Sequence, residues 1–313
     1  MARRKPRGEP IDGWLILDKP HDMTSTAAVG AVKRLFNARK VGHGGTLDPL
    51  ATGVLPIALG EATKTVQFVM DSPKQYRFTV RWGEERDTDD AEGAVVETSD
   101  ARPTRADIEA LLPAYTGEIA QLPPTFSAIK VKGERAYDLA RDGEEVKLQP
   151  RLVMIHELKL VEVPDADTAV FEATTGKGAY VRALARDMGR DLGCFGHIAD
   201  LRRTAVGPFR AEDAITLEKL EELRHKDADK SACKQVLLPI ETALDDIPAL
   251  AVDQQQAARL VNGQPVLLRG ARAPVAEDTV LVTWKGKPVA LGTIEAGMLR
   301  PKRVFNLGNA GKR

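Results

Sequence analysis

The period of apolar and polar positions changes several times along the chain, and each change marks an element. Residues 14–17 (WLIL) form an unbroken apolar run of strand length. Residues 18–23 (DKPHDM) contain a proline and read as a loop. Thr24 or Ser25 then caps a helix running through Phe36, with Val29, Val32 and Leu35 or Phe36 on one face. Alternation over 76–82 (YRFTVRW) predicts a half-buried strand. Thr104 and Asp107 have capping-box spacing ahead of Ile108, Leu111 and Leu112. Another helix is expected after Gly133, through Tyr137 and Leu139 to Gly143. Strands over 152–163 and 168–175 lead into a helix over about 179–192. There Val181, Leu184, Ala185, Met188 and Leu192 recur at helical spacing before Gly193 stops it. Residues 223–235 are polar and charged and read as a loop or linker. Beyond Leu250 the pattern shortens to strands and turns at 266–268, 279–284, 288–294 and 304–307. The pattern predicts an α+β protein: a basic tail over 1–10, a large domain over 11–245 and a small β-barrel-like module over 250–313.

Composition narrows the class. The 313 residues suggest about two domains of roughly 150 residues each. Apolar residues make up 43% and charged residues 29%, which excludes a disordered chain. The longest uncharged stretch, 49–60, is short and broken by Pro and Gly, so no membrane-spanning segment is expected. The N-terminal MARRKPRGEP has no apolar region behind its charges and does not read as a secretory signal. Cys194 and Cys233 form neither a disulfide framework nor a zinc pattern, and a reducing cytoplasm is expected.

Lys plus Arg and Asp plus Glu both number 45, giving zero net charge, but the charges are segregated. Basic clusters occur at Arg3–Arg7, at Lys33, Arg34, Arg39 and Lys40, between Lys177 and Arg203, and from Arg300 to Arg313. Residues 84–100 hold eight acids against Arg86. Separated basic clusters suit a polyanionic partner, while any one of them is ordinarily solvated surface.

Two segments suggest chemistry. Residues 42–56 (GHGGTLDPLATGVLP) place Asp48 alone in a glycine- and proline-rich, mostly apolar loop beside His43. A nucleophile or base could be presented this way, although Asp-Pro also marks ordinary turns. Residues 176–182 (GKGAYVR) follow a strand and open a helix. Free N–H groups there favour an anion, and Arg182 is a candidate partner for a carboxylate. Neither a dinucleotide fingerprint nor a Walker loop is present. Asp87, Asp89 and Asp90 fail the calcium-loop spacing and read as a solvated loop. The five histidines lack metal-site spacing, and Ser127 lacks a serine-hydrolase context.

Together these segments resemble the bacterial tRNA pseudouridine synthases of the TruB family. The resemblance is colinear and spans nearly the whole chain. It runs through LDKP at 17–20, GHGGTLDPLATGVLPIALGEATK at 42–64, Tyr76, DTDDAEG at 87–93 and PPTFSAIKVKGERAYDLAR at 123–141. It continues through GKGAYVRALARDMG at 176–189 and LRRTAVGPF at 201–209. Residues 250–308 resemble a PUA domain, most clearly at VALGTI and LRPKRVF.

The resemblance implies an isomerase without cofactor or metal that converts uridine 55 of the tRNA T arm to pseudouridine. Such an enzyme flips the base into a pocket. Asp48 matches the catalytic aspartate, Tyr76 the tyrosine that stacks on the base, and Arg182 the arginine that pairs with the aspartate. Leu201 and Tyr180 match pocket walls, and His43 faces the space the base leaves. Asp90, Gly45 and Lys19 are expected to support the site. The partner implied is tRNA, bound by a monomer at its T arm, with the acceptor stem a candidate contact of the C-terminal module. The sequence departs from the family pattern at Asp22, Gly44 and Ala179, where glycine, threonine and threonine are usual. Two alternatives stand beside this reading: a guide-RNA-dependent rRNA pseudouridine synthase of the dyskerin type, and a tRNA-folding chaperone that needs no catalysis.

Overall fold

The computed structural model describes residues 8–127, 129–131, 134–135, 148–226, 231–270 and 274–307. The chain opens with β1 (Gly13–Lys19), α1 (Ser25–Phe36), β2 (Val41–His43) and β3 (Thr52–Leu59). Next come α2 (Val66–Asp71), β4 (Lys74–Trp82), the hairpin β5 (Glu84–Arg86) and β6 (Val95–Thr98), α3 (Arg105–Leu111) and β7 (Gly117–Gln121). The short pair β8 (Lys130–Val131) and β9 (Glu134–Arg135) precedes the long hairpin β10 (Arg151–Asp165) and β11 (Thr168–Thr175). Then follow α4 (Val181–Asp191), β12 (Gly196–Val206), β13 (Phe209–Arg210), α5 (Leu217–Lys226) and α6 (Ser231–Gln235). The last part holds β14 (Ala249–Ala251), α7 (Gln254–Val261), β15 (Val266–Leu267), β16 (Glu277–Trp284), β17 (Lys287–Glu295) and β18 (Met298–Val304).

One nine-stranded mixed sheet organises the larger part, in the order β1-β3-β12-β4-β11-β10-β7, with β2 on β3 and β13 on β12. Its pairings are antiparallel except β12 with β3, where Arg202 and Arg203 face Thr52 and Gly53. Apolar side chains leave β1 on both faces, which explains its unbroken apolar run. Leu15 and Leu17 enter one core with Val32 and Phe36 of α1, Phe78, Phe171, Leu184 and Met188. Trp14 and Ile16 enter a second core with Val54, Ala58, Val206 and Phe209. That second core also takes in Leu281, Leu291 and Phe305, so it joins the large sheet to the C-terminal five-stranded sheet β14-β16-β17-β18-β15. Two polar ties cross the same junction: Lys64 Nζ donates to Val304 O (2.8 Å), and the Asn306 N–H donates to Glu61 Oε2 (2.6 Å).

Local chemistry sets the helix ends. Thr24 caps α1 by accepting the Ala27 N–H at 3.0 Å, and Asn37 ends it in the left-handed conformation. Helix α4 is buried on nearly every side, and an added Cβ at Gly189 would lie 2.3 Å from Gly196 N. The helix therefore packs directly on the backbone that turns into β12. Asp22, in place of the usual glycine, has φ +58°, a region where aspartate costs less than most residues.

The elements depart from the sequence pattern in several places. Strand β1 continues through Asp18 and Lys19, because both still pair with β3. The loop expected over 42–56 ends at Thr52, where β3 begins. Residues 223–226 and 231–235 are helical rather than linker, since Leu217, Leu220 and Leu223 supply an apolar stripe beside buried Cys233. The strand expected over 304–307 is instead the end of β18, followed by buried Phe305. Helix α7 was not anticipated, although its capping box, Asp253 with Gln256, stands in the sequence. The helix expected over 133–143 lies outside the described residues apart from β9. No helix among the described residues is long and apolar enough to cross a membrane.

Trp14 is fully buried, with its ring 5.3 Å from that of Phe209. Trp14→Ala should lower stability by about 3–5 kcal/mol, read as a reduced urea midpoint.

Candidate active site

The C-terminal end of β11, the start of α4, the inner strands β4 and β12 and the loop before β3 converge on one cleft of about 300 Å³. Its walls include Gly45, Thr46, Leu47, Asp48, Tyr76, Tyr180, Arg182 and Leu201. These residues are separated by up to 156 positions, from Gly45 to Leu201, and only the fold brings them together. The Asp48 carboxylate is reachable, at 34% side-chain exposure. Tyr76 and Tyr180 are half-buried beside it, and Leu201 is buried in the wall.

Arg182 projects from the first turn of α4 with its side chain 4% exposed. Its Nη1 donates to Thr88 O (2.8 Å) and its Nη2 to Phe126 O (2.9 Å). Asp90 Oδ2 lies 3.5 Å from Nη1. Nε lies 2.9 Å from Asp48 Oδ2, an ion pair in which the N–H is not aimed straight at the oxygen. Burial opposes the positive charge, but Asp48, Asp90 and Asp89 outweigh it and raise the Arg182 pKa above its usual value. Asp90 is itself fixed, its Oδ1 accepting from Thr88 Oγ1 (2.6 Å) and the Glu92 N–H (3.1 Å).

Tyr180 is held through its backbone. Its N–H donates to Gln121 Oε1 (2.8 Å), and its carbonyl accepts from Gln121 Nε2 (3.1 Å). Of the N–H groups at this helix start, that of Tyr180 is thus already satisfied. Burial pushes the Tyr180 hydroxyl pKa up, with Ser127 opposing. Lys19 is fully buried behind the cleft and donates to Pro20 O, Met23 O and Pro49 O at 2.7, 2.8 and 3.1 Å. Burial lowers its pKa to about 8, although Asp48 opposes the shift. His43 pairs with Ile57 at the end of β2 and does not line the cleft.

The acidic loop is the largest departure from expectation. It is solvated only in part: Asp89 and Asp90 are buried, while Asp87 is exposed as expected. Arg182, Arg186 and Arg190 stand four residues apart on α4 and meet this loop rung by rung. Arg186 binds Asp89 (2.9 Å) and neighbouring Asp187 (2.8 Å), and Arg190 binds Glu85 through two hydrogen bonds of 2.7 and 2.6 Å. Burial pushes the Asp89 pKa up to about 6 against the pull of Arg186, so the pair is still charged at neutral pH. The basic cluster between Lys177 and Arg203 is accordingly divided: Arg182 and Arg186 are internal, while Lys177, Arg190 and Arg202 are paired nearer the surface. Lys177 pairs with Asp71, Arg202 pairs with Asp18, and Arg203 is fully buried. Met70, Lys74 and Arg203 also line the cleft, and Gln121 grips Tyr180 behind it. None of these four stood out as site residues in the sequence; for Lys74 and Arg203 the reason is that nothing local distinguishes a buried Lys or Arg from a solvated one. Among the described residues, no group of three or more His, Cys, Asp or Glu could hold a metal.

Removing Arg186 would leave Asp89 buried without its partner, so Arg186→Ala should cost about 3–5 kcal/mol. Arg190 is half-exposed, and Arg190→Ala should cost roughly 1 kcal/mol or less. Urea denaturation of both variants checks the ranking.

Comparison with known proteins gives the family. Residues 33–181 match the N-terminal domain model of the TruB family pseudouridylate synthases. Residues 182–245 match the C-terminal domain model of tRNA pseudouridylate synthase B, and 248–305 match the C-terminal model of pseudouridine synthase II TruB. The chain is 63% identical over 298 residues to tRNA pseudouridine synthase B of Bradyrhizobium diazoefficiens, covering 95% of this chain and 86% of that one. It is 56% identical over 324 residues to tRNA pseudouridine synthase B of Brucella anthropi, covering 98% and 100%. Among solved structures it is similar to one described as an archaeal box H/ACA sRNP Nop10–Cbf5 complex. That match has a TM-score of 0.73 and 25% identity and covers 96% of this chain and 88% of the other. The extent and identity of these matches establish that the chain belongs to the TruB family of pseudouridylate synthases.

Proposed function

We propose that the protein acts alone on tRNA and converts uridine 55 of the T arm to pseudouridine, with Asp48 as the catalytic carboxylate. The observation that carries this is a reachable Asp48 paired with a buried arginine at the floor of a cleft that also presents two tyrosines. The everted uracil stacks on Tyr76, an interaction worth about 1–3 kcal/mol, which offsets much of the cost of unstacking. Tyr180 and Leu201 form the walls.

Asp48 then acts at the sugar by one of two routes. In one it attacks C1′ and expels uracil through N1. In the other it removes the C2′ proton, giving a glycal and the uracil anion. In both, the base turns within the cleft and C5 bonds to C1′. In the first route this breaks the Asp48–C1′ ester bond and releases the carboxylate; in the second C2′ regains its proton from the Asp48 carboxyl. In each, the loss of the C5 proton is balanced by protonation of N1. Arg182 orients the carboxylate. Asp90 and Lys19 support the site from behind, and Gly45 lines the loop.

Exposed cations remain for the RNA backbone at Lys33, Arg34, Arg39 and Lys40, and at Arg300, Lys302 and Arg303. The C-terminal sheet that bears the second group is proposed to act as a PUA-like module against the acceptor stem.

Incubating the purified protein with unmodified tRNA and mapping pseudouridine at each nucleotide tests the reading. One modified position, 55, is expected. Activity only with added proteins and guide RNA would replace it with the guide-dependent alternative. Asp48→Asn should lower the rate by about a thousandfold or more while tRNA binding survives, and unimpaired catalysis would remove Asp48 from its role. Affinity for tRNA should fall at least about tenfold between 50 and 200 mM salt, read by filter binding.

A further inference from the structure

The peptide groups on either side of Asp48 are bound by side chains that reach in from other elements, and two of these have no role so far. The first is Arg203 of β12, 1% exposed. Its Nε donates to Val54 O (2.8 Å), its Nη1 to Thr46 O (3.2 Å) and its Nη2 to Gly45 O (3.2 Å). Its own carbonyl presses on Gly53, where an added Cβ would lie only 2.2 Å away and φ is +97°. One residue therefore grips the Asp48 loop where it begins and where it ends.

The second is Ser25, the first residue of α1 and also buried. Its hydroxyl donates to Leu47 O (2.8 Å) and accepts the Leu47 N–H (2.9 Å). Both polar backbone groups of the residue before Asp48 are thus satisfied by one side chain.

Arg203 is an expensive choice for mere filling. Among the described residues no carboxylate lies within ion-pair distance of it, so carbonyl dipoles alone compensate a fully buried charge. It also disfavours the charge on Lys19 and Lys74 nearby. An apolar side chain would fill the same space without that cost, but could not hold three carbonyls at fixed positions.

We infer that Arg203, with Ser25, is a positioning residue for the reaction. The two hold the 45–53 loop so that the Asp48 carboxylate stands at a fixed height against the sugar. Ser25 does not line the cleft, and Arg203, which does, spends all three of its guanidinium hydrogen bonds on loop carbonyls, so both act through the loop. The inference rests on the proposed uridine isomerisation at this site.

The test compares wild type, Arg203→Lys and Ser25→Ala in single-turnover reactions with excess enzyme on unmodified tRNA. tRNA affinity, folded fraction and amide hydrogen exchange are measured alongside. Displacing a reacting group by about 1 Å costs roughly a hundredfold in rate. The expected result is a rate constant per folded enzyme lower by about that factor in Arg203→Lys, and lower in the same direction in Ser25→Ala. tRNA affinity should be unchanged, and exchange should be faster at residues 46–51 alone. A rate constant equal to wild type overturns the inference. So does a loss confined to folded fraction or to tRNA affinity. If Arg203→Lys does not fold, Ser25→Ala decides. If wild type itself forms no pseudouridine, the parent reading fails, and the exchange measurement still judges the loop: unchanged exchange at 46–51 in the variants overturns its bracing.

Discussion

A buried guanidinium is the constraint on which the rest of the site depends. Arg182 cannot be left in the interior uncompensated, because an unpaired buried charge costs several kcal/mol. Two backbone carbonyls, from Thr88 and Phe126, and two carboxylates, Asp48 and Asp90, share that compensation. The carbonyls fix the plane of the guanidinium and Asp90 backs it. Asp48 alone faces the cleft, so the charge that satisfies the interior also orients the group that meets the substrate.

The same demand extends along α4. Arg186 and Arg190 repeat the spacing of Arg182 and meet Asp89 and Glu85, so the strand-and-loop segment from 84 to 90 is tied to the helix at successive turns. This ladder places Asp90 behind Arg182 and holds the loop against β12, where Asp90 bridges Ile198 and Asp89 O accepts the Ile198 N–H. A helix that would otherwise be too polar to bury becomes an interior element, with Leu184, Ala185 and Met188 filling the gaps between the ion pairs.

Zero net charge takes on a structural meaning in this light. Part of the acid and base in the middle of the chain is spent on internal pairing, while the exposed cations of α1 and the following turn, and those of β18, contribute to the field around the protein. The two cores divide the work similarly. One seats α1 and α4 on the sheet beneath the cleft, and the other fastens the C-terminal sheet to the opposite face through Trp14 and Phe305.

The sequence by itself determined the elements whose signals are local. The Thr24 cap of α1, the alternation of β4 and the periodicity of α4 all depend on neighbours within a few residues, and each element formed there, although the buried face of α1 runs through Ala28, Val32 and Phe36 rather than Val29. The family, and Asp48, Tyr76, Arg182, Tyr180 and Leu201 as residues of one cleft, were also legible, because several motifs matched together. Tertiary structure alone decided which charges are internal. Asp89, Arg186, Lys74 and Arg203 carry no local mark of burial, since hydration and ion pairing offset one another only when distant segments meet. It also decided what holds Asp48 in place. Arg203 lies 155 residues along the chain from it, and a contact of that kind is set by how β12 docks beside β3.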